Sequence, residues 1–372
     1  LKARVKVPLI DLAAQARPLK AAILKDWARI LDQGAYINGE HGRLFEAELA
    51  AHLGVKFVVG CNSGTDALVL ALRAAGVGPG DEVIVPAFSF FATAEAVSLV
   101  GAAPVFCDIV ADSFLLDTGE AMKRLGPRCK AVLPVHLFGR VFDVDGLKAR
   151  LRKAGRGDLA VIEDACQSLG ASRAGKPGPL VRGLASAISF YPTKNLSAAG
   201  DAGALATDDA DLAALARRLR EHGSPKRYVH TEIGYNSRLD ELQAAVLRRK
   251  LPKLDRWVAA RRRHALSYGR LLKGLPLGLP AQAPGDAWHQ YTVRVPEGKR
   301  EALREHLALN GVASSVFYPV CMHQQGPYAA RAPKLPEAER AAAEVLSLPF
   351  FPEMSAGQLA AVADAVRRFY AA

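Results

Sequence analysis

The run Ser189-Phe190-Tyr191-Pro192-Thr193-Lys194-Asn195 comes at the end of an apolar, strand-like stretch from Leu184 to Phe190. Upstream, Ala160-Val161-Ile162-Glu163-Asp164 ends another apolar stretch, this one on a carboxylate. Outward from this pair the same pattern recurs. Phe57-Val58-Val59 precedes a helical pattern from near Asp66 to Ala75, and Asp81-Glu82-Val83-Ile84-Val85 follows it. Pro104-Val105-Phe106 and Ala131-Val132-Leu133-Pro134-Val135 are further short runs of the kind. Continuous β-rich runs separated by helices are what a mostly parallel sheet requires when helices cover both its faces, so the fold class is α/β.

From Leu239 the pattern turns helical. Leu242, Val246, Leu251, Leu254, Val258, Ala265, Tyr268 and Leu272 recur at helical spacing, with a bend expected at Pro252. The remainder reads as a small α+β unit, with a strand over Tyr291–Val295, a helix over Arg300–Leu309 and a strand over Ser314–Tyr318. A final helix is expected to start near Ser355, where Ser355 and Gln358 make a capping box. The expected division is a large domain over 1–250, including the N-terminal segment, and a small C-terminal domain over 251–372.

Composition narrows the function classes. Half of the 372 residues are apolar, enough for a substantial core. The segment Leu1 to Pro8 is basic without the long apolar core of a signal peptide, and the apolar-rich stretch Phe88 to Phe106 is broken by Glu95 and Pro104, so no membrane span is expected. Cys61, Cys107, Cys129, Cys166 and Cys321 are scattered and odd in number, which fits a reducing, cytoplasmic setting. The net charge of +12 allows either nucleic-acid binding or an anionic small substrate. The basic clusters Arg248-Arg249-Lys250 and Arg261-Arg262-Arg263 lack interleaved aromatic residues and any nucleic-acid motif. They read as solvated helix faces or a rim for phosphates, and no nucleic-acid partner is expected.

A lysine and an aspartate, each at the exit of its own buried strand, are what pyridoxal 5′-phosphate chemistry needs. The amine condenses with the aldehyde and the carboxylate pairs with the ring nitrogen. Gln167, three residues after Asp164, is placed to meet the ring hydroxyl. Cys61-Asn62-Ser63-Gly64-Thr65-Asp66 follows a strand and opens a helix. Its Gly64 and Thr65 are candidates to bind a phosphate at the helix start, the alternative being that Thr65 only caps the helix. Ser189 is a further candidate phosphate ligand. Of Phe88, Phe90 and Phe91, two are expected in the core and one over a flat ring. His136, His289 and His323 have no metal-ligand spacing, so core or pocket roles are expected and no metal. No G-x-S-x-G, P-loop or G-x-G-x-x-G motif is present.

In this order the chain carries Gly34-Ala35-Tyr36-Ile37-Asn38-Gly39, Ser63-Gly64-Thr65-Asp66-Ala67-Leu68, Gly78-Pro79-Gly80-Asp81-Glu82-Val83 and Pro134-Val135-His136-Leu137-Phe138-Gly139. Glu163-Asp164-Ala165, the Lys194 run, Gly234-Tyr235-Asn236-Ser237-Arg238-Leu239-Asp240-Glu241-Leu242-Gln243-Ala244, and Tyr318-Pro319 with His323 complete the series. Together these motifs resemble the DegT-like sugar aminotransferases, a branch of the aspartate aminotransferase fold (fold type I), over nearly the whole chain.

The resemblance implies that Lys194 forms the Schiff base and shuttles the proton, that Asp164 pairs with the ring nitrogen and that Gln167 contacts the ring hydroxyl. It implies phosphate binding by Gly64, Thr65 and Ser189, stacking by Phe90, and substrate contacts from Tyr318 and His323. Asn236 is similar to an asparagine that family members extend to the neighbouring subunit's cofactor phosphate, which implies a homodimer with shared sites. The implied activity is amino transfer from an amino acid, glutamate being the common donor, to a keto sugar. That sugar is expected to be nucleotide-linked with its ketone at C3 or C4; the wording around Asn236 leans to C3. A sugar dehydratase or a non-catalytic regulator on the same fold are the rivals, and Lys194 itself argues against the former. Two departures flank the lysine loop. The stretch from Pro179 to Ser186 lacks the usual Ser-Phe-Gly-Asp, and Ala202 stands where a glycine is expected.

Overall fold

The computed structural model describes residues 7–173, 176–177 and 181–371. The basic N-terminal run up to Lys6, and Pro179 and Leu180 of the divergent stretch, lie outside the described residues. The centre is a seven-stranded sheet of β1 (Phe57–Cys61), β2 (Glu82–Pro86), β3 (Ala103–Cys107), β4 (Cys129–Val132), β5 (Ala160–Asp164), β6 (Ala185–Ser189) and β7 (Gly203–Thr207). Their order across the sheet is β1-β7-β6-β5-β4-β2-β3. Six strands run parallel, and β7 alone is antiparallel to both its neighbours. Almost every residue of β5, β6 and β7 is buried, as expected of strands covered on both faces. The parallel strands therefore end along one edge, where Asp164 and Ser189 are the last residues of adjacent β5 and β6.

Helix α1 (Gly64–Ala74) packs on one face through Ala67–Leu72. The other face is covered by Phe45, Leu49, Leu247 and Leu254, which belong to a second apolar cluster with Ile188 and Phe190. The long helical pattern resolves into α2 (Glu241–Lys250) and α3 (Leu254–Leu271), joined by a 3₁₀ turn at Leu251–Lys253 that contains Pro252.

Towards the C-terminus, β8 (Tyr291–Arg294) pairs antiparallel with β9 (Val345–Leu348), backed by Arg300–Leu309 and by α4 (Ala356–Ala371). The capping box is present. Ser355 N–H donates to Gln358 Oε1 at 2.9 Å, and Gln358 N–H donates to Ser355 Oγ at 3.1 Å. The expected strand over 314–318 is not one. Only Ser315 bridges Ser347, because the chain then leaves the sheet to deliver Phe317 and Tyr318 to a cavity. The N-terminal chain joins this C-terminal unit, with Val7 bridging Val312.

The basic clusters are not solvated faces. Arg248 forms a forked pair with Glu48 and Arg249 with Asp26. Lys250 is buried, and Arg261 is buried with Nη1 donating to the carbonyls of Trp288, His289 and Phe350. Arg262 donates to the Asp286 carbonyl and Ser172 Oγ. Of the six, Arg263 is exposed, and so is Arg249 despite its pair with Asp26. Helical spacing shows which face a side chain is on but not whether a partner waits there, and here partners from distant segments do.

Candidate active site

At the carboxyl edge of the sheet a cavity of about 620 Å³ is lined by residues from both the large sheet and the β8–β9 unit. Its floor is the end of β5. Asp164 is buried, with Oδ2 accepting from Thr93 Oγ1 at 2.8 Å and Oδ1 accepting from Cys166 N–H at 3.2 Å. Its neighbour Glu163 points the other way, as strand alternation requires. Phe142 N–H donates to His136 Nδ1 at 3.0 Å, which puts the imidazole proton on Nε2, 2.9 Å from Glu163 Oε2. Glu163 Oε1 accepts from the Arg182 and Gly183 N–H groups at 2.6 and 2.7 Å. The divergent stretch thus closes on Glu163. Gly183 is required there, since a Cβ would lie 2.1 Å from the Val161 carbonyl oxygen. Gln167 is clamped: Oε1 accepts from Phe138 N–H at 2.8 Å, and Nε2 donates to the Tyr318 hydroxyl at 3.1 Å.

The lysine loop is pinned at its base. Phe190 N–H donates to the Ala202 carbonyl and Ala198 N–H to the Phe190 carbonyl, both at 2.8 Å. Asn195 Nδ2 donates to the carbonyls of Leu169 and Ala287. Lys194 reaches the cavity from this loop. Burial pushes its ammonium below the ordinary lysine range, opposed by the nearby Asp164 carboxylate. The amine is thereby more readily unprotonated, the form that attacks a carbonyl. The glycine the loop needs is Gly203, where a Cβ would fall 2.2 Å from the Ser63 carbonyl, and Ala202 is simply buried.

The start of α1 also lines the cavity. Ser63, not Thr65, is its cap, with Oγ accepting from Asp66 N–H at 3.0 Å. Asp66 turns away to accept from Ser237 Oγ at 2.7 Å. The Gly64 and Thr65 N–H groups have no intrahelical acceptor, as at any helix start. A Cβ on Gly64 would lie 2.6 Å from Cys166 Sγ and 2.8 Å from Ser189 Cβ, so only glycine keeps this turn against β6. Ser189 Oγ accepts from Tyr191 N–H at 3.3 Å, which leaves its own hydrogen for another acceptor. Anion donors at a helix start, a buried carboxylate and a buried amine lining one cavity fit pyridoxal phosphate in charge and in donor set.

The cavity brings together Gly64, Thr65, Phe90, Asp164, Gln167, Ser189, Lys194 and Tyr318. Phe88 is buried, whereas Phe90 is 55% exposed with its ring 5.8 Å from that of Tyr318. Asn236 does not reach this cavity. It is exposed, its backbone bridges Glu221, and its carbonyl accepts from Asn62 Nδ2. His323 does not line the cavity either. The 3₁₀ turn Met322–Gln324 buries it against Phe106, with Nε2 3.3 Å from Glu339 Oε1, outside the cavity. Sequence reasoning missed Thr93, Ser89 and Cys166, which have no spacing signal. His289, expected in core or pocket, is both buried and on the cavity wall. Among the described residues no group of three or more His, Cys, Asp or Glu side chains is arranged to hold a metal, and no helix is long and apolar enough to cross a membrane.

Residues 18–367 match the profile of the DegT/DnrJ/EryC1/StrS aminotransferase family. The chain belongs to that family. It is 46% identical to a UDP-N-acetyl-3-dehydro-α-D-glucosamine 3-aminotransferase of Acidithiobacillus ferrooxidans, covering 97% of each chain. It is 45% identical to the dTDP-3-amino-3,4,6-trideoxy-α-D-glucose transaminase of Streptomyces venezuelae, over 98% of this chain and 96% of the other. A pleiotropic regulatory protein of Geobacillus stearothermophilus is 44% identical, over 98% and 99%. The crystal structure of S. venezuelae DesV in complex with a ketimine intermediate superposes with a TM-score of 0.91 at 44% identity, covering 98% of each chain. Bacillus subtilis NtdA with bound cofactor PMP superposes at 0.92 and 30% identity, over 100% of this chain and 87% of that one. The family's aminotransferase fold is therefore that of this chain, and the seven-stranded sheet and its helices are its large layer.

Proposed function

We propose that this DegT-family chain is a pyridoxal-phosphate-dependent aminotransferase that moves an amino group from an amino acid, glutamate first among candidates, to the C3 ketone of a nucleotide-linked sugar. One observation carries the reading. Lys194 and Asp164 line one cavity that the start of α1 also lines. The relatives named as a 3-aminotransferase and as a transaminase of a 3-amino sugar, at 46% and 45% identity, support C3 over C4.

The cofactor, when bound, supplies an aldehyde and an electron-withdrawing ring. The chain's residues do the rest. Gly64 and Thr65 N–H, the Thr65 hydroxyl and Ser189 hold the phosphate. Asp164 sets a fixed negative charge against the ring nitrogen, and Gln167 orients the ring from its hydroxyl side. Phe90 covers one ring face, and Tyr318 borders the substrate. Lys194 Nζ takes the proton from the donor's Cα and returns one to the sugar carbon. Asn236, exposed on one protomer, serves the phosphate of its partner in a homodimer with shared sites. The cofactor-binding domain extends to residue 250 and the small domain covers 251–372, with the N-terminal chain around Val7 packed into the small one, and the enzyme is cytoplasmic.

The test is spectroscopic. Reconstituted protein should absorb in the visible, change spectrum on adding glutamate, and change back with a UDP- or dTDP-linked 3-keto sugar but not with the 4-keto isomer. A response to the 4-keto isomer alone would move the reaction to C4. A coloured protein that responds to no amino donor would overturn amino transfer and favour a dehydratase or another cofactor reaction, whereas protein that takes up no cofactor would favour the regulatory reading, which the Geobacillus relative's name keeps in view.

A further inference from the structure

Asp164 is held from behind by a chain of hydroxyls. Thr93, fully buried in the first turn of the helix Ala92–Leu99, sits 2.8 Å from Asp164 Oδ2. Ser89 Oγ, also buried and on the cavity wall, sits 3.1 Å from Thr93 Oγ1. The proton inventory orders this chain. An ionised carboxylate only accepts, so the single Thr93 hydroxyl hydrogen goes to Asp164. Thr93 Oγ1 must then accept, and the Ser89 hydrogen goes to Thr93. The backbone of Asp164 is fixed independently, its carbonyl accepting from His136 N–H and its N–H donating to the Pro134 carbonyl. With the main chain fixed, rotation of the carboxylate is what Thr93 and Cys166 N–H together decide.

We propose that Thr93 is a positioning residue, backed by Ser89, that holds the Asp164 carboxylate aimed as an acceptor at a protonated ring nitrogen. The proposal rests on the reading of Asp164 as the ring-nitrogen partner. A methyl in place of the Thr93 hydroxyl fills the same volume but leaves Asp164 Oδ2 short of a donor in a buried place. Ser89 then loses its acceptor and is free to donate towards Asp164 or the ligand, which misdirects the site.

The experiment uses cofactor-free protein and two probes: pyridoxine 5′-phosphate, which lacks the aldehyde and so bypasses Lys194, and its analogue with C–H in place of the ring nitrogen. Dissociation constants are measured by calorimetry for wild type, Thr93→Val, Thr93→Ser, Ser89→Ala and Asp164→Asn. A hydrogen bond to a charged group predicts a loss of about 10- to 100-fold in pyridoxine phosphate affinity for Thr93→Val. Binding of the carbon analogue should change less than about threefold, because it makes no demand on the carboxylate's aim. Thr93→Ser should bind both probes like wild type, and Ser89→Ala should lose part of the pyridine preference. A Thr93→Val protein that weakens both probes equally would show a merely structural role and overturn the proposal, as would unchanged binding. If Thr93→Val does not fold, Ser89→Ala decides, since an undiminished pyridine preference there removes the relay. Asp164→Asn is the separate control. If it keeps the full preference for the ring nitrogen, the reading of Asp164 fails; if it loses the preference while Thr93→Val does not, only the relay fails.

Discussion

Replacing Lys250 by methionine should stabilise the protein at neutral pH, and the gain should disappear in alkali. Lys250 ends α2 and is only 5% exposed. Its ammonium donates to two uncharged groups, Ser197 Oγ at 2.9 Å and Gln15 Oε1 at 3.1 Å. Burial brings its pKa down from 10.5 to about 8, against a smaller opposing attraction from Glu353. A lowered lysine pKa means that the folded state binds the proton less tightly than the unfolded chain. Below pH 8 both states carry the charge and the folded state bears the full desolvation penalty. Between pH 8 and 10.5 the folded state sheds its proton first, so stability rises with pH. Above 10.5 both states are neutral and the penalty is gone. The drop from 10.5 to about 8 corresponds to about 3 kcal/mol over that window.

Methionine is unbranched, similar in length and uncharged. Gln15 Oε1 keeps a partner in the variant, because Ser197 Oγ already donates to it at 3.0 Å. No buried acceptor is therefore orphaned. Lys250→Met should be more stable than wild type by about 1–3 kcal/mol at pH 7. Urea midpoints of the cofactor-free proteins at constant ionic strength, from pH 7 to 10.5, provide the assay. Tyr268, Tyr291 and the buried cysteines titrate in both proteins, so the difference curve isolates Lys250. A difference that stays flat across pH 8–10.5, or a variant less stable than wild type at pH 7, would refute the reasoning.

Gly64→Ala should destabilise by about 1–3 kcal/mol, because its Cβ would meet Cys166 Sγ at 2.6 Å and Ser189 Cβ at 2.8 Å. It should also weaken pyridoxal phosphate binding at least tenfold by calorimetry; normal affinity would show that α1 does not hold the phosphate. His323→Ala should lower stability by about 2 kcal/mol through loss of a buried, bonded side chain while leaving KM for the sugar within twofold. A large rise in KM would return His323 to the substrate site. Mixing inactive Lys194→Ala with inactive Asn236→Ala subunits should restore part of the activity, since one hybrid site then has both residues. No recovery, with subunit exchange verified, would count against Asn236 crossing between protomers.

What was legible in the sequence, and what was not, divides by the range of the interaction. Parallel strands buried on both faces are continuous apolar runs, and a charged residue at the end of such a run has one place to go, the carboxyl edge of the sheet. Asp164 and Lys194 could be read for that reason. The partner that orients Asp164 could not. Thr93 lies 71 positions away inside an apolar helical stretch, and nothing in its neighbours distinguishes it from a core threonine. The arginines make the same point in the other direction. Their helical spacing was read as a solvated face, yet the acids that bind Arg248 and Arg249 come from segments 200 and 223 positions upstream. Even the start of α1 turned on such a contact. Ser63 and Thr65 are equally good caps by type, and the choice follows from where the turn is pressed by Gly203, Cys166 and Ser189. Residue types at strand ends thus specify the chemistry, while the pairing that aims it is set by tertiary packing. A variant that keeps Lys194 and Asp164 but disturbs Thr93 or Gly203 should accordingly look intact in sequence and fail in geometry.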